Sequence, residues 1–372
     1  MDLDKRFTLL RLYNKIGNYK LFLFFYHLCF CFLAYHLRVV RGISDSHFYW
    51  AQHTNLTNHS WFDYADYGAN FILFLNYPFL RFGFPFWFGF FLYGIVGYLG
   101  ILQWMQFAER IIGGIYFKGY NFLPFIFFLP NLHYWTATLG KEPIVFLSLA
   151  TLFNFVVDFK GKKAPIVLAF LFLLLIRPHV VLLFLISLLL ILLFQKSHSL
   201  KRKIIFSIVS LSLFSVLLPM VFRLVTVKYW DWNRILYSNH YSVLSFRNSG
   251  SYVPMLEYPI WYKFFSFNFR PLFFDSNSIW AFFASLENCI ILLLHLITLV
   301  VILLYYKNII FPEWMKVVLL FSLVFSLVYI QRYANLGIFM RTKIMFQPFL
   351  IVGFISIIQQ CLKSRKLMII HE

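Results

Sequence analysis

Acid is scarce in this chain. Asp and Glu together number 14 in 372 residues, against 33 Lys and Arg, and charged residues of both signs make up only 13%. A water-soluble domain that is 61% hydrophobic has too little interior to hide its apolar side chains, so a soluble globule is excluded. Cysteine is rare too. Cys29 and Cys31 point to different faces of one helix, and Cys289 and Cys361 sit in or beside later apolar runs, so no disulfide or zinc framework is visible. A phosphate-cradling Gly-rich loop, a zinc motif and a Gly-x-Ser-x-Gly nucleophile elbow are all missing. So are the alternating ten-residue strands of an outer-membrane barrel.

The net charge of +19 invites a nucleic-acid partner. The cations lie in small groups between apolar runs, which is the pattern of membrane topology and lipid headgroups, and nucleic acid is excluded. What the chain does have is long apolar runs from end to end, with 50 Phe. They predict an all-α, polytopic transmembrane helical bundle, a single integral membrane domain over residues 1–372. Spans are expected at 21–40, 85–107, 121–137, 142–158, 164–177, 179–195, 204–225, 279–304, 315–331 and 344–361. A shorter stretch, 70–82, is broken by Pro78 and Arg81 and reads as interfacial or re-entrant. The basic N-terminus followed by apolar 21–40, with no small-residue cleavage site, reads as an uncleaved first span.

Basic clusters set the orientation. Lys5, Arg6, Arg11, Lys15 and Lys20 precede the first span, and "KGKK" (160–163), "KSHSLKRK" (196–203) and "KSRK" (363–366) fall at alternate turns. The positive-inside rule then places both termini in the cytoplasm. Residues 164–195 lie between two such clusters. As one helix they would run about 48 Å, so the chain must turn midway. The polar break "IRPH" (176–179) is the place, since Pro178 favours a turn. By the same logic 121–159 turns at "WTATLGKEP" (135–143) and 315–361 at "QRYANLGIFMRTK" (331–343). The helix leading to Arg177 spans only about 18 Å against a hydrocarbon core of about 30 Å. Polar tips below the membrane surface are tolerated only inside protein or beside water, so these hairpins predict a cavity. Two external loops, 41–69 and 226–278, are rich in Trp, Tyr, Asn and Ser and suit a carbohydrate-facing surface or an interfacial aromatic belt. Asn55-Leu-Thr57 and Asn58-His-Ser60 match the glycosylation sequon, a pattern common by chance.

Candidate chemistry lies in the ionisable residues of that face. Asp45, just past the first span, reads as a general base or a metal ligand, or else Ser44 or Asp45 caps a short interfacial helix through 46–53. Asp63 and Asp66 read as solvated loop acids. Glu142 is explained as an acid at a helix start, but Lys141 beside it is disfavoured by the helix dipole and suits a phosphate. Arg177 suits bidentate phosphate binding, with His179 next to it. Glu287, two turns into an apolar helix, needs a partner, and Arg270 is the candidate. Arg332, Arg341 and Lys343 crowd the third tip. Lys141, Arg177, Arg270, Arg332, Arg341 and Lys343 all project to one face in this topology. An anionic headgroup is their simplest common ligand, and a polyprenyl phosphate or pyrophosphate fits.

The stretches "GISDSHFYW", "LPNLHYWTATLGKEP", "LIRPH", "FRPLFF…SLEN" and "YANLGIFMRTK…P" resemble bacterial inner-membrane proteins of surface-polysaccharide assembly. These are O-antigen-polymerase-like proteins and the GT-C superfamily of polyprenyl-phosphate-dependent glycosyltransferases. The resemblance covers most of the chain through short, degenerate motifs. It implies a GT-C-like or polymerase-like bundle that transfers a polyprenyl-linked saccharide on the periplasmic face of the inner membrane. Asp45 would be the catalytic base, Glu287 would position an arginine, and Lys141, Arg177, His179, Arg270, Arg332, Arg341 and Lys343 would hold lipid-linked phosphates. It also implies membrane lipids and other polysaccharide-assembly proteins as partners. No cofactor is named, and a divalent cation stays open. The chain departs from GT-C enzymes in lacking their larger soluble C-terminal region, and from O-antigen polymerases in having fewer spans. The rival readings are a transporter or flippase of the same lipid-linked saccharides, which needs no catalytic acid, and a non-enzymatic membrane scaffold.

Overall fold

The computed structural model describes residues 3–42, 44–50, 59–117, 120–158, 162–196, 199–224 and 231–371. Asn55, Thr57 and Asn58 of the sequons, and residues 160–161 and 197–198 of the basic clusters, lie outside the described residues. The first elements are α1 (Leu3–Arg41), α2 (Asp45–Tyr49), α3 (Ala69–Arg81) and α4 (Phe86–Ile112). An antiparallel ribbon of β1 (Tyr116–Phe117) and β2 (Tyr120–Asn121) follows. Next come α5 (Pro130–Thr136), α6 (Lys141–Val157), α7 (Lys163–Ile176), α8 (Pro178–Phe194) and α9 (Leu200–Leu224). The chain closes with α10 (Trp232–Leu244), α11 (Ile260–Phe269), α12 (Ile279–Tyr305), α13 (Glu313–Tyr329), α14 (Leu336–Lys343) and α15 (Gln347–His371).

Among the described residues, four helices are long and apolar enough to cross a membrane: α1, α4, α9 and α12. The number rises to six if two bent pairs each count as one span, α5 with α6 at 113° and α14 with α15 at 61°. α7 and α8 are shorter apolar helices, with α13 of similar length. This is a helical bundle of multi-pass membrane character. One expected span is corrected outright. Residues 121–137 are not one helix but the end of the ribbon, a 3-10 turn at Leu123–Phe128 and then α5. Pro124 and Pro130 are the reason. Each lacks an amide donor and sits at the start of a new helical segment, where that donor is not needed. The 70–82 stretch forms α3 with Pro78 inside it, and the two external loops contain helices α2, α10 and α11.

The three expected turns fall where helices end. Arg177 alone separates α7 from α8, whose first residue is Pro178. Residues between Thr136 and Lys141 break α5 from α6. The third tip is more built than a turn, because it holds the eight-residue α14, capped at its start by the Asn335 side chain on the Ile338 amide.

Below the tips lies one apolar cluster that draws on α1, α4, α6, α8, α13 and α15. Much of it is aromatic. The Phe153 ring lies tilted against Phe349 with centroids 4.3 Å apart and edges against Phe184 and Phe321, while Phe325 lies flat on Tyr329 at 4.0 Å. Helix α4 comes closest to its neighbours through small residues. A Cβ on Gly97 would overlap the Thr136 carbonyl, and one on Gly100 would press on Phe146 and the Leu147 backbone at 2.9–3.1 Å. Close backbone approach through glycine is the common device for packing helices in lipid. It holds α5 and the start of α6 down against α4. Gly97→Val should therefore push α5 away and cost at least the 1–3 kcal/mol typical of overpacking, because a backbone carbonyl cannot step aside. A fall in the thermal unfolding midpoint of the detergent-solubilised protein measures this, with Gly250→Ala, where nothing lies nearby, as the milder comparison.

Candidate functional site

The first turn of α6 carries Glu142 into the interior, where its side chain is 2% exposed. A buried carboxylate is costly unless it is paired. Glu142 Oε1 accepts from Arg177 Nη2 at 2.5 Å and from Arg341 Nε at 2.6 Å. Arg341 then reaches outward, and its Nη1 donates to Asp45 Oδ2 at 2.6 Å. On the other side Arg177 Nη1 donates to the Tyr329 hydroxyl at 3.4 Å, and that hydroxyl also pairs with His179 Nε2 at 2.9 Å. One connected network thus joins Asp45, Arg341, Glu142, Arg177, Tyr329 and His179. The N-terminal dipole of α6 adds to the stabilisation of Glu142.

The network walls a cavity of about 490 Å³. Lys141, Arg177, Arg332 and Arg341 line it with Asp45, His179, Tyr49 and Tyr329. With Glu142 behind them, the four cations exceed the two carboxylates by two charges. The excess resides in Lys141 and Arg332. Lys141 has no hydrogen bond or ion pair with any described residue, and Arg332 Nη1 is held only by Ser238 at 3.3 Å and Asn239 at 3.2 Å. Arg177 Nε is buried with no acceptor among the described residues. Asp45 is the exposed end of the network, its side chain 62% accessible. Burial raises the Tyr49 phenol well above its ordinary value, and the nearby Glu142 and Asp45 charges act in the same direction, so this ring offers a neutral hydroxyl.

A second cavity of about 360 Å³ shares Asp45, Ile338 and Arg341 with the first and adds Glu142, Arg38, Ser44 and Trp135. Arg38 and Arg341 each stand 5.8 Å from the centre of the Trp135 ring. Arg38 Nε is also buried without a partner among the described residues. Among the described residues no three His, Cys, Asp or Glu side chains are grouped to hold a metal ion.

Six residues singled out in the sequence meet here: Asp45, Lys141, Arg177, His179, Arg332 and Arg341. Three do not. Arg270 is turned into its own corner, where Asp275 takes both Nη2 at 2.5 Å and Nε at 3.0 Å and Tyr258 lies 3.3 Å from Nη1. The expected Glu287–Arg270 pair is therefore absent. Glu287 Oε2 accepts instead from the Asn131 amide at 2.8 Å, one of the free amides at the start of α5. Lys343 is fully buried away from the cavity and donates to Asn288 Oδ1 at 2.8 Å and to the Asn268 and Arg270 carbonyls at 3.3 and 3.1 Å. It closes the C-terminal end of α11, as a cation at a helix end does.

Ser44 occupies the cap position of α2, but its hydroxyl pairs with the His47 ring at 2.8 Å rather than with a helix amide. Asp63 is spent on the Ser60 amide and hydroxyl, bonds that hold its pKa below the ordinary carboxylate value, and Asp66 on the Tyr67 amide. Sequence reasoning missed Glu142 as the centre of the network, and Tyr329, Arg38 and Trp135 with it. No protein family, curated protein or solved structure matches the chain.

Glu142→Gln should leave Arg177 and Arg341 buried against a neutral group. Loss of a buried partner costs about 3–5 kcal/mol, so the unfolding midpoint in detergent should fall sharply. Asp45→Asn breaks an exposed pair, worth about 1 kcal/mol at most, and should unfold close to the unaltered protein.

Proposed function

We propose that the chain is an integral membrane glycosyltransferase or polymerase, which takes a polyprenyl-(pyro)phosphate-linked saccharide and transfers it to an acceptor hydroxyl. The observation that carries the reading is the two-charge cation excess in a cavity whose rim holds one exposed carboxylate. Lys141, Arg177, Arg332 and Arg341 would receive the phosphates, and the buried Arg177 Nε awaits such an acceptor. Asp45, kept in place by Arg341, would take the proton of the acceptor hydroxyl as its oxygen attacks the anomeric carbon. The bond from that carbon to the phosphate oxygen breaks, and the electron pair leaves on a phosphate held by the same cations. His179 and Tyr329 fix the Arg177 side of the cavity. Glu287, Arg270 and Lys343 take no part in this step.

The GT-C-like or polymerase-like arrangement in a bacterial inner membrane, with this cavity on the periplasmic face, belongs to the same proposal. Support comes from the short helices α7, α8 and α13, which lie beside the full-length ones in the bundle and end at the same network. A transporter or flippase of the same saccharides is the second reading. It is favoured by the two sharply bent helix pairs, since interrupted helices surround the substrate sites of many transporters.

The test uses the purified protein in vesicles with a labelled polyprenyl-pyrophosphate-linked oligosaccharide and an acceptor. Asp45→Asn should lower transfer by about 10²–10⁴-fold while the vesicles still bind the labelled lipid. Arg332→Ala should chiefly raise the KM for it. Undiminished transfer by Asp45→Asn refutes the catalytic assignment. Movement of the label across the membrane without transfer, in both the unaltered protein and Asp45→Asn, establishes the transporter reading instead.

A further inference from the structure

A third cavity, a groove of about 630 Å³, lies beside the charged site. One wall is the last turns of α1, with Phe30, Leu33 and Leu37; the other is the first turns of α12, with Trp280, Phe283 and Ala284. α1 and α12 are both among the four helices long enough to cross a membrane. α5 packs against each of them and floors the gap between them, so the groove opens sideways toward the surroundings of the bundle. Phe283 is 51% exposed at that opening. The carboxylates within it are already engaged, Glu287 by the Asn131 amide and Asp275 by Arg270, which leaves apolar and aromatic surface to a ligand.

The groove adjoins the site. It shares Tyr134, Trp135 and Gly337 with the second cavity, and that cavity shares Asp45, Ile338 and Arg341 with the first. An apolar channel between two membrane spans thus leads past the Trp135 ring to an excess of positive charge. We propose that this groove holds the isoprenoid chain of the lipid-linked substrate, which reaches the cations sideways from the membrane between α1 and α12. The inference rests on the function proposed above. Two features select the occupant. The charge excess requires an anionic head, and the gap between α1 and α12 holds one groove leading toward it, which suits one chain rather than the two of a diacyl phospholipid. Trp135 marks the junction, with its ring beneath Arg38 and Arg341 and its edge on the groove.

Ala284→Trp and, from the opposite wall, Leu33→Trp fill the groove without replacing a charged residue. Three probes are titrated into the full chain in detergent: a long-chain polyprenyl phosphate, a diacyl phosphatidic acid and inorganic pyrophosphate. Each variant should bind the polyprenyl phosphate at least about tenfold more weakly. Pyrophosphate should bind them as it binds the unaltered protein, which also shows that the variants are folded. Unchanged polyprenyl phosphate affinity in both variants overturns the groove assignment while leaving the charged site standing. Equal or tighter binding of the phosphatidic acid by the unaltered protein overturns the choice of occupant. If the unaltered protein binds neither polyprenyl phosphate nor pyrophosphate, the function proposed above fails with it.

Discussion

One carboxylate oxygen holds this site together. Glu142 Oε1 takes a guanidinium hydrogen bond from the α7–α8 turn and another from α14, and it does so in the interior. Neither arginine nor the carboxylate is tolerable there alone, because the cost of burying each charge is offset only by the other two. The three tips that carry them are consequently bound to one position relative to each other. Asp45 joins from a fourth segment through the free end of Arg341. Its geometry is inherited, since the rigid members of the network fix Arg341 and Arg341 fixes Asp45.

The helices reach this meeting point because they are short. α7 has 14 residues, about 21 Å of rise, and the polar turn after it falls inside the protein rather than at its surface. The sharp bend between α5 and α6 serves the same end. It aims the amino end of α6, with Lys141 and Glu142, at the turn of the neighbouring pair. Glycines on α4 let that bend settle against a helix backbone. Charge pairing builds on that packing, and Lys141 and Arg332, which meet no carboxylate among the described residues, are the charges it leaves over.

The sequence disclosed the turns and most of the cations because both break a simple rule. A charge in a chain this apolar, at the end of a helix too short to span, calls for a reason, and Arg177, Arg341 and Lys141 could be found on that ground. Partners were harder to find. Glu142 had a sufficient local explanation as a helix-start acid, so nothing in the pattern marked it as the hub. Glu287 was matched to a cation, yet its partner is a free amide at a helix start, a donor every sequence carries and none displays. The true partner of Arg270, by contrast, stands five residues along in the same "FRPLFFDS" run. Lys343 shares a tip with Arg341 but leaves the opposite side of α14, and two residues along a helix is enough to send it to different surroundings.

The long loop before α12 is not a free appendage. Val253 donates to the Ala334 carbonyl at 2.9 Å, Leu336 donates to Ser251 at 2.9 Å, and Ser242 of α10 bonds to the Arg332 carbonyl. The Arg332 side chain returns two bonds to α10. The loop, α10 and the third tip are thus stitched into a single plate, with Arg332 as a rivet through it. The loop and the cavity wall therefore share one residue, whose backbone and side chain both bind α10 while its charge faces the cavity.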